Sequence, residues 1–244
     1  MTSLTISKRL QTIARYCPEG ARVADIGSDH ALLASYLLVK GIASFVIAGE
    51  LNEGPFQAAK KQIHTLQLKD RAAVRKGNGL AVLEPGEVDV VCIAGMGGQL
   101  IVSILEEGLL KLEGVQRLIL QPNVGEEIVR RWMLKQGWQL VAETIVQEDG
   151  IIYEILVAER GAPLFPYENK DRPQEDLIRI GPFLWEEKSP ILAEKWQHER
   201  EKWQKVLGQL KRSDKPEAAQ RIAEIEQEVK WIDEVIACLH TDKP

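Results

Sequence analysis

The segment at residues 25–30, Asp-Ile-Gly-Ser-Asp-His, concentrates side chains that are able to do chemistry. It follows an apolar run at residues 21–24 and precedes an apolar helical pattern from residue 31. A strand that ends in an acid and a glycine turn before a helix is typical of the first unit of a doubly wound nucleotide-binding fold. The free N–H groups at the start of a helix favour a carboxylate or a polar ligand. The sequence therefore predicts a ligand site at this strand end.

The glycine content of the same segment restricts the kind of ligand. Dinucleotide-binding loops carry three glycines, in the pattern GxGxxG, whereas residues 25–30 contain only Gly27. Without a cradle for a pyrophosphate group, an NAD-dependent dehydrogenase is the weakest alternative. We predict instead a smaller adenosine ligand that has no phosphates, such as S-adenosylmethionine (SAM).

Polar or glycine-rich segments also end the next three predicted strands. Glu50 ends the second, where a carboxylate can accept hydrogen bonds from both ribose hydroxyls. Asn78 follows the third, where it can meet an adenine amino group, and the glycines at 95–98 let the backbone approach a substrate. Each feature alone also fits a turn, a surface acid or close helix packing, but together they predict one site. The expected cofactor-binding residues are Asp25, Gly27, Ser28, Glu50, Asn78, Gly79, Gly95, Met96 and Gly97.

The elements that must position these residues follow from the alternation of short apolar runs with helical patterns. This alternation indicates an α/β fold with a mainly parallel sheet, and Asp149-Gly150 between two β-rich runs predicts a closing hairpin. Five helix-linked strands and an antiparallel pair make the Rossmann-like, seven-stranded plan of many SAM-dependent methyltransferases. The predicted strands cover residues 22–25, 45–50, 73–76, 88–94, 117–121, 139–147 and 151–159.

The pattern becomes purely helical after a proline-containing segment at residues 161–173. Ser189-Pro190 suits the start of one helix, and residues 214–216, Asp-Lys-Pro, separate it from a second. We predict an antiparallel hairpin with a coiled-coil seam, and domains at residues 1–161 (SAM binding) and 162–244 (linker and C-terminal α-helical coiled coil). The predicted apolar stripes are Leu192, Trp196, Trp203, Leu207 and Leu210, then Ile222, Ile225, Val229, Ile232, Ile236 and Leu239.

The composition narrows the class of protein but not its function. Of 244 residues, 45% are hydrophobic and 27% charged, as in soluble globular proteins. The sequence has neither a run long enough to span a bilayer nor a signal-peptide core, and its three cysteines lack metal-ligand spacing. We therefore expect a cytoplasmic protein with free thiols and no metal. The net charge of −5 leaves nucleic acid open as a partner, because a local basic patch is enough.

Five motifs in order, DIGSDHA, AGE, GNGL, AGMGG and LILQPN, resemble the bacterial tRNA (adenine-22-N1)-methyltransferase family, TrmK. The resemblance implies a SAM-binding domain, a C-terminal coiled coil and tRNA as substrate. Two motifs depart from the family pattern. Leu32 and Ala34 replace an aromatic residue and a proline, and Asn78 replaces an aspartate. A neutral amide at position 78 implies a somewhat lower affinity for SAM.

The resemblance also implies roles in methyl transfer to adenine N1. We expect Asp29 near the transferring methyl, His30 beside it, and Asn123 on the N6 edge of the base. A carboxylate at a helix N-terminus and a helix cap are the alternatives for Asp29 and Asn123. The residues expected to contact the tRNA are Lys8, Arg9 and Gln121.

Several alternatives stay open at this point. The substrate could be a small molecule or a protein. A third alternative is a non-catalytic RNA-binding or scaffold protein that retains a vestigial pocket. A second basic cluster, Arg130, Arg131 and Lys135, is interpreted as a solvated helix face. The oligomeric state is undetermined, with a monomer favoured.

Overall fold

The computed structural model describes residues 4–212 and 218–241. The chain falls into two compact units, one ending at Trp185 and the other starting at Glu186. The domain boundary expected after residue 161 stays a prediction. The predicted break at residues 214–216 lies outside the described residues.

Within the described residues, seven strands form one sheet in the order β3-β2-β1-β4-β5-β7-β6. Pairing is parallel from β3 through β5, and β7 runs antiparallel to both β5 and β6. The seven predicted strands and the closing hairpin are confirmed, with ends that differ by one or two residues. The strands are β1 Ala21–Ile26, β2 Ala43–Glu50, β3 Ala72–Lys76, β4 Val90–Met96, β5 Arg117–Pro122, β6 Trp138–Glu148 and β7 Ile151–Arg160.

Both faces of this sheet are covered. Successive side chains of a strand point to opposite faces, and in the parallel strands the side chains on both faces are buried. In β4, for example, Cys92 and Ile93 are both fully buried, but each belongs to a different hydrophobic cluster. In the part of the chain that the structure describes, no helix combines the length and the apolar character needed to cross a membrane. The helices are α1 Lys8–Arg15, α2 Leu32–Val39, α3 Glu53–Thr65, α4 Gly98–Glu107, α5 Glu126–Lys135, α6 Gln174–Ile180, α7 Pro182–Glu187, α8 Pro190–Leu210 and α9 Ala218–Thr241.

The second unit contains the two long helices α8 and α9, which pack against each other. The predicted cap is present, since Ser189 Oγ accepts a hydrogen bond from Leu192 N–H at 3.4 Å. Trp196 packs edge-to-face on Trp231, with ring centroids 5.1 Å apart. Of the predicted stripe of α9, Ile225, Ile232 and Leu239 are buried and Ile222, Val229 and Ile236 are partly buried. Val235, which the stripe omits, is fully buried as well, because a straight helix drifts away from a strict 3.5-residue repeat.

A buried ion cluster joins α5, β6 and β7. Arg130 is fully buried and bonds Glu143 Oε1 at 2.7 Å and Glu154 Oε2 at 2.5 Å. It also donates to the carbonyl of Ile178 at 3.2 Å, which ties the segment after the sheet to the sheet itself. The interpretation of Arg130 as part of a solvated face is therefore wrong, whereas its neighbour Arg131 is exposed as expected.

This cluster generates a stability prediction. Replacing Arg130 by Ala leaves two buried carboxylates without their cation, which should lower the free energy of unfolding by about 3–5 kcal/mol. Arg131→Ala removes an exposed pair with Glu175 and should cost less than about 1 kcal/mol. Urea denaturation of both variants at neutral pH measures the two values. Equal losses for the two arginines would contradict the assignment.

Candidate active site

The loop after β1 is fastened to the end of β2. The N–H groups of Gly27 and Ser28 both donate to the carbonyl of Gly49, at 2.9 and 3.1 Å. Gly49 precedes Glu50, the last residue of β2. The two strand ends that the sequence predicts as a binding corner are thus held side by side.

Glycine is required at position 27. Its φ is +72°, a left-handed value that other residues rarely adopt. A Cβ there would lie 2.2 Å from the terminal methyl of Met96, at the end of β4. The Met96 side chain therefore packs directly on the backbone of the loop after β1.

Asp25 is a buried acid at the base of this corner. Its Oδ2 accepts a hydrogen bond from Ser28 Oγ at 2.6 Å. Burial raises the pKa of Asp25 to about 6, and the nearby negative charges of Glu50 and Asp29 act in the same direction. A cation bound at this edge would relieve the cost of ionising Asp25.

Glu50 is also largely buried, with 8% of its surface exposed. Its Oε1 accepts hydrogen bonds from the N–H groups of Leu51 and Asn52, at 2.9 and 3.0 Å. Within the described residues Oε2 makes no hydrogen bond. The carboxylate is thus fixed in orientation and keeps one oxygen for a ligand.

Asp29 and His30 lie on the solvent side of the same loop. Their side chains are 79% and 60% exposed, and His30 Nε2 is 3.4 Å from Asp29 Oδ1. His30 and Ala31 both have left-handed backbones, with φ of 59° and 53°. Two such residues in succession store strain of order 1–3 kcal/mol each. Helix α2 starts only after this kink, so Asp29 is not in its first turn.

A hydrogen-bond network joins the ends of β4 and β5. Gln121 is fully buried; its Oε1 accepts from Gly95 N–H at 3.0 Å, and its Nε2 donates to Asn123 Oδ1 at 3.0 Å. Asn123 Nδ2 in turn donates to the carbonyl of Gly95 at 2.8 Å. Both ends of the Asn123 amide are therefore fixed by the protein.

The predicted tRNA contact Arg9 reaches the same network. Its guanidinium donates to Gln121 Oε1 and lies 5.1 Å above the ring centre of Tyr153. Lys8 lies at the start of α1 and its Nζ donates to the carbonyl of Gln147 at 3.4 Å. The sequence does not predict a role for Tyr153, because nothing in a β-rich run distinguishes one tyrosine as a partner of a distant arginine.

The loop after β3 differs from expectation in its backbone. Asn78 is extended, with φ of −86°, and it is Gly79 that adopts the left-handed conformation. The positive φ in this loop is therefore supplied by Gly79 and not by Asn78. Asn78 Nδ2 donates to Glu107 Oε2 at 3.4 Å, and both residues line a pocket of about 200 Å³. Glu107 carries no sequence signal that would have linked it to this loop.

The edge of the sheet therefore combines carboxylates, glycines and fixed amides. Across residues 4–212 and 218–241, no group of His, Cys, Asp and Glu side chains has the geometry of a metal site. The strand order, the acid at the end of β2 and the closely packed ends of β1 and β4 define a Rossmann-like methyltransferase of the SAM-dependent class.

The chain matches the family model described as tRNA (adenine(22)-N(1))-methyltransferase over residues 23–234. It is 43% identical over 237 residues to the tRNA (adenine(22)-N(1))-methyltransferase of Bacillus subtilis (strain 168), which covers 97% of this chain and 99% of that protein. The chain therefore belongs to the tRNA (adenine(22)-N(1))-methyltransferase family, TrmK. The family predicted from the motifs is confirmed.

Solved structures agree in fold over nearly the whole length. The crystal structure of the B. subtilis m1A22 tRNA methyltransferase TrmK has a TM-score of 0.89 at 43% identity, covering 96% of this chain and 100% of that one. A Streptococcus pneumoniae protein solved in complex with S-adenosyl-L-methionine has a TM-score of 0.84 at 42% identity, with 95% and 100% covered. A Streptococcus agalactiae protein of the NADB-Rossmann superfamily has a TM-score of 0.85 at 38% identity, with 96% and 99% covered. The predicted Rossmann-like fold is confirmed.

The raised pKa of Asp25 generates a prediction about stability. The Asp25 carboxyl contributes its full stabilisation at a pH below its ordinary pKa of 3.8, where it is protonated in both the folded and the unfolded state. This stabilisation is lost as the pH rises through about 6, the pKa in the folded state. Relative to Asp25→Asn, the wild-type free energy of unfolding should therefore fall by about 3 kcal/mol across this range. Chemical denaturation of both proteins at several pH values measures the difference. A difference that does not change with pH would contradict the shift.

Proposed function

We propose that this chain transfers a methyl group from SAM to N1 of adenine 22 in tRNA. The observation that carries the proposal is the meeting of Asp25, Gly27, Glu50 and Gly95 at one edge of the sheet, in a chain of the TrmK family. Such an edge, at the carboxyl ends of parallel strands, is where α/β folds bind their ligands. SAM, when bound, supplies an electrophilic methyl group on a positively charged sulfur.

The residues of the edge suit this cofactor individually. Oε2 of Glu50 accepts from the ribose hydroxyls, and the left-handed turn at Gly27 directs the loop after β1 along the edge of the sheet. Asn78 donates through Nδ2 to Glu107, and we assign its Oδ1 to the amino group of the cofactor's adenine. The remaining residues that we assign to the cofactor are Asp25, Ser28, Gly79, Gly95, Met96 and Gly97.

Asp29 is the acid that we assign to the reacting base. Adenine N1 becomes part of a cation as it is methylated, and a carboxylate held nearby stabilises that charge. The strained backbone at His30 and Ala31 supports this assignment, because such strain is typical of functional loops. His30 lies beside Asp29, with its Nε2 3.4 Å from Asp29 Oδ1.

Asn123 holds the target base. Its Nδ2 is committed to the Gly95 carbonyl and its Oδ1 receives one bond from Gln121. Oδ1 keeps a second lone pair, which we assign to the N6 amino group of the target adenine. Gln121 is fully buried, so it orients Asn123 and does not contact the tRNA itself.

The tRNA substrate adds two requirements. Adenine N1 lies on the pairing edge, so the base must be unpaired or flipped into the pocket. Lys8 and the remaining donors of Arg9 supply positive charge for a phosphate beside it. A tRNA substrate also makes the cytoplasm the compartment of the reaction.

The direct test of this function is methylation of unmodified tRNA. Purified protein with SAM should convert one adenine to N1-methyladenine, and a tRNA with adenine 22 replaced by guanine should stay unmodified. Nucleoside mass spectrometry with mapping detects the product. If SAM binds in calorimetry and a protein or small molecule is methylated instead, the substrate assignment is wrong. If SAM does not bind, a scaffold protein is favoured.

Asp29→Ala should lower kcat roughly 10- to 100-fold, because it removes the charge that stabilises the forming cation. The Kd for SAM and the melting temperature should change little, since the side chain is exposed. Asp149→Asn, which removes a charge at another exposed loop position and keeps a side chain that tolerates its φ of 51°, serves as the control and should retain full activity. Wild-type turnover by the Asp29 variant would remove it from the catalytic residues.

A further inference from the structure

The N-terminus of α1 is anchored by an acid 140 positions away in the sequence. Glu148, at the end of β6, accepts the backbone N–H of Lys8 through Oε1 and that of Arg9 through Oε2, the latter at 3.4 Å. The first N–H groups of a helix have no partner within the helix, and a carboxylate at that end also interacts favourably with the helix dipole. Ser7 Oγ satisfies the next group, Leu10 N–H, at 3.2 Å. Glu148 therefore fixes the start of α1 to the end of the β6 strand.

Arg9, one of the two residues that Glu148 anchors, also reaches the candidate active site. Arg9 is part-buried, and its guanidinium is confined between the ring of Tyr153 and Oε1 of Gln121. A Cβ added at Gly95 would lie 3.4 Å from Arg9 Nη1, so the guanidinium passes directly beside that backbone. Movement of the Arg9 backbone would displace this contact.

Gln121 transmits the position of Arg9 to the end of β4. A primary amide has one acceptor and one donor end, and here Oε1 receives both the Arg9 guanidinium and Gly95 N–H. The Nε2 end then necessarily faces Asn123 Oδ1 and the carbonyl of Pro122. A flip of the Gln121 amide would place its Nε2 donor against two other donors, the Arg9 guanidinium and Gly95 N–H, and its Oε1 against Asn123 Oδ1. Arg9 thus adds a second donor to the acceptor end and raises the cost of leaving the orientation on which the Asn123 amide depends.

We infer that Glu148 is a positioning residue for methyl transfer, which acts by fixing the start of α1 and, through Arg9 and Gln121, the Asn123 amide and the Gly95 backbone. The inference rests on the proposed function, because the geometry it protects is that of the target base. Glu148 contacts neither the base nor SAM in this role. Its effect is therefore expected on turnover and not on SAM affinity.

A double-mutant cycle with tRNA as substrate tests this role. Glu148→Gln removes the charge and one acceptor oxygen, and should lower kcat about five- to tenfold with the Kd for SAM within twofold. Arg9→Ala should lower kcat at least as much. Because both act on the same contact, the double variant should have the kcat of Arg9→Ala alone. Asp149→Asn is the matched control: it removes the same charge one residue later, keeps a side chain that tolerates its φ of 51°, and should leave kcat unchanged.

Three results would overturn the inference. The first is a wild-type kcat for Glu148→Gln. The second is a double variant in which the two losses of kcat multiply, and the third is an equal loss of kcat in Asp149→Asn. In each case tRNA methylation by the wild-type protein would remain intact, so the proposed function would stand. Should Glu148→Gln not fold, Glu148→Asp replaces it in the same cycle, because it keeps the charge and shortens the reach by one methylene group. A wild-type protein that methylates no tRNA would refute the proposed function, and the inference with it.

Discussion

Parallel pairing of buried strands is the constraint on which the active site depends. β1 pairs with β2 on one side and with β4 on the other, and β4 pairs with β5. Parallel strands that share a register end at the same edge of the sheet, so segments that are far apart in sequence meet there without any contact being specified between them. Because both faces of the sheet are covered, a shift in register would expose apolar side chains, and the edge is held in place by the whole core.

Close packing of the loops after β1, β4 and β5 then fixes the residues at this edge of the sheet. Gly27 accommodates the Met96 side chain, and Gly98 packs so closely on the loop after β5 that a Cβ would lie 2.2 Å from the carbonyl oxygen of Gly125. These contacts leave little freedom to the loops after β1, β4 and β5. The carboxylates and amides that they carry are consequently oriented before any ligand arrives, which reduces the entropy lost on binding.

The sequence predicts those features that depend on local pattern. The strands, the Asp149-Gly150 hairpin turn and the Ser189 helix cap follow from periodicity and turn chemistry, and their positions are recovered to within one or two residues. The candidate site follows in outline for the same reason, since strand ends are recognisable and parallel strands place them together. The cofactor and catalytic assignments of individual side chains stay predictions.

Features that depend on distant partners could not be predicted. Arg130 sits beside Arg131 in a helical pattern, and only the folded chain shows that one is enclosed with Glu143 and Glu154 while the other faces water. The partnership of Arg9 with Gln121 is equally invisible, because the two are 112 positions apart. A polar side chain is buried only where the fold supplies hydrogen-bonding or charged partners for it. Local sequence patterns do not identify those partners.

The buried cluster also imposes an order on the synthesis of the protein. The partners described for Arg130, namely Glu143, Glu154 and the Ile178 carbonyl, all follow it along the chain. While the nascent chain leaves the ribosome, helix α5 is made first, and burying its guanidinium alone would cost several kcal/mol. That side chain must stay hydrated until residue 154 has emerged, and β7 then has to enter between β5 and β6. The first strands can assemble during translation. The part of the sheet formed by β5, β7 and β6 can form only after the β6–β7 hairpin supplies the carboxylates of Glu143 and Glu154.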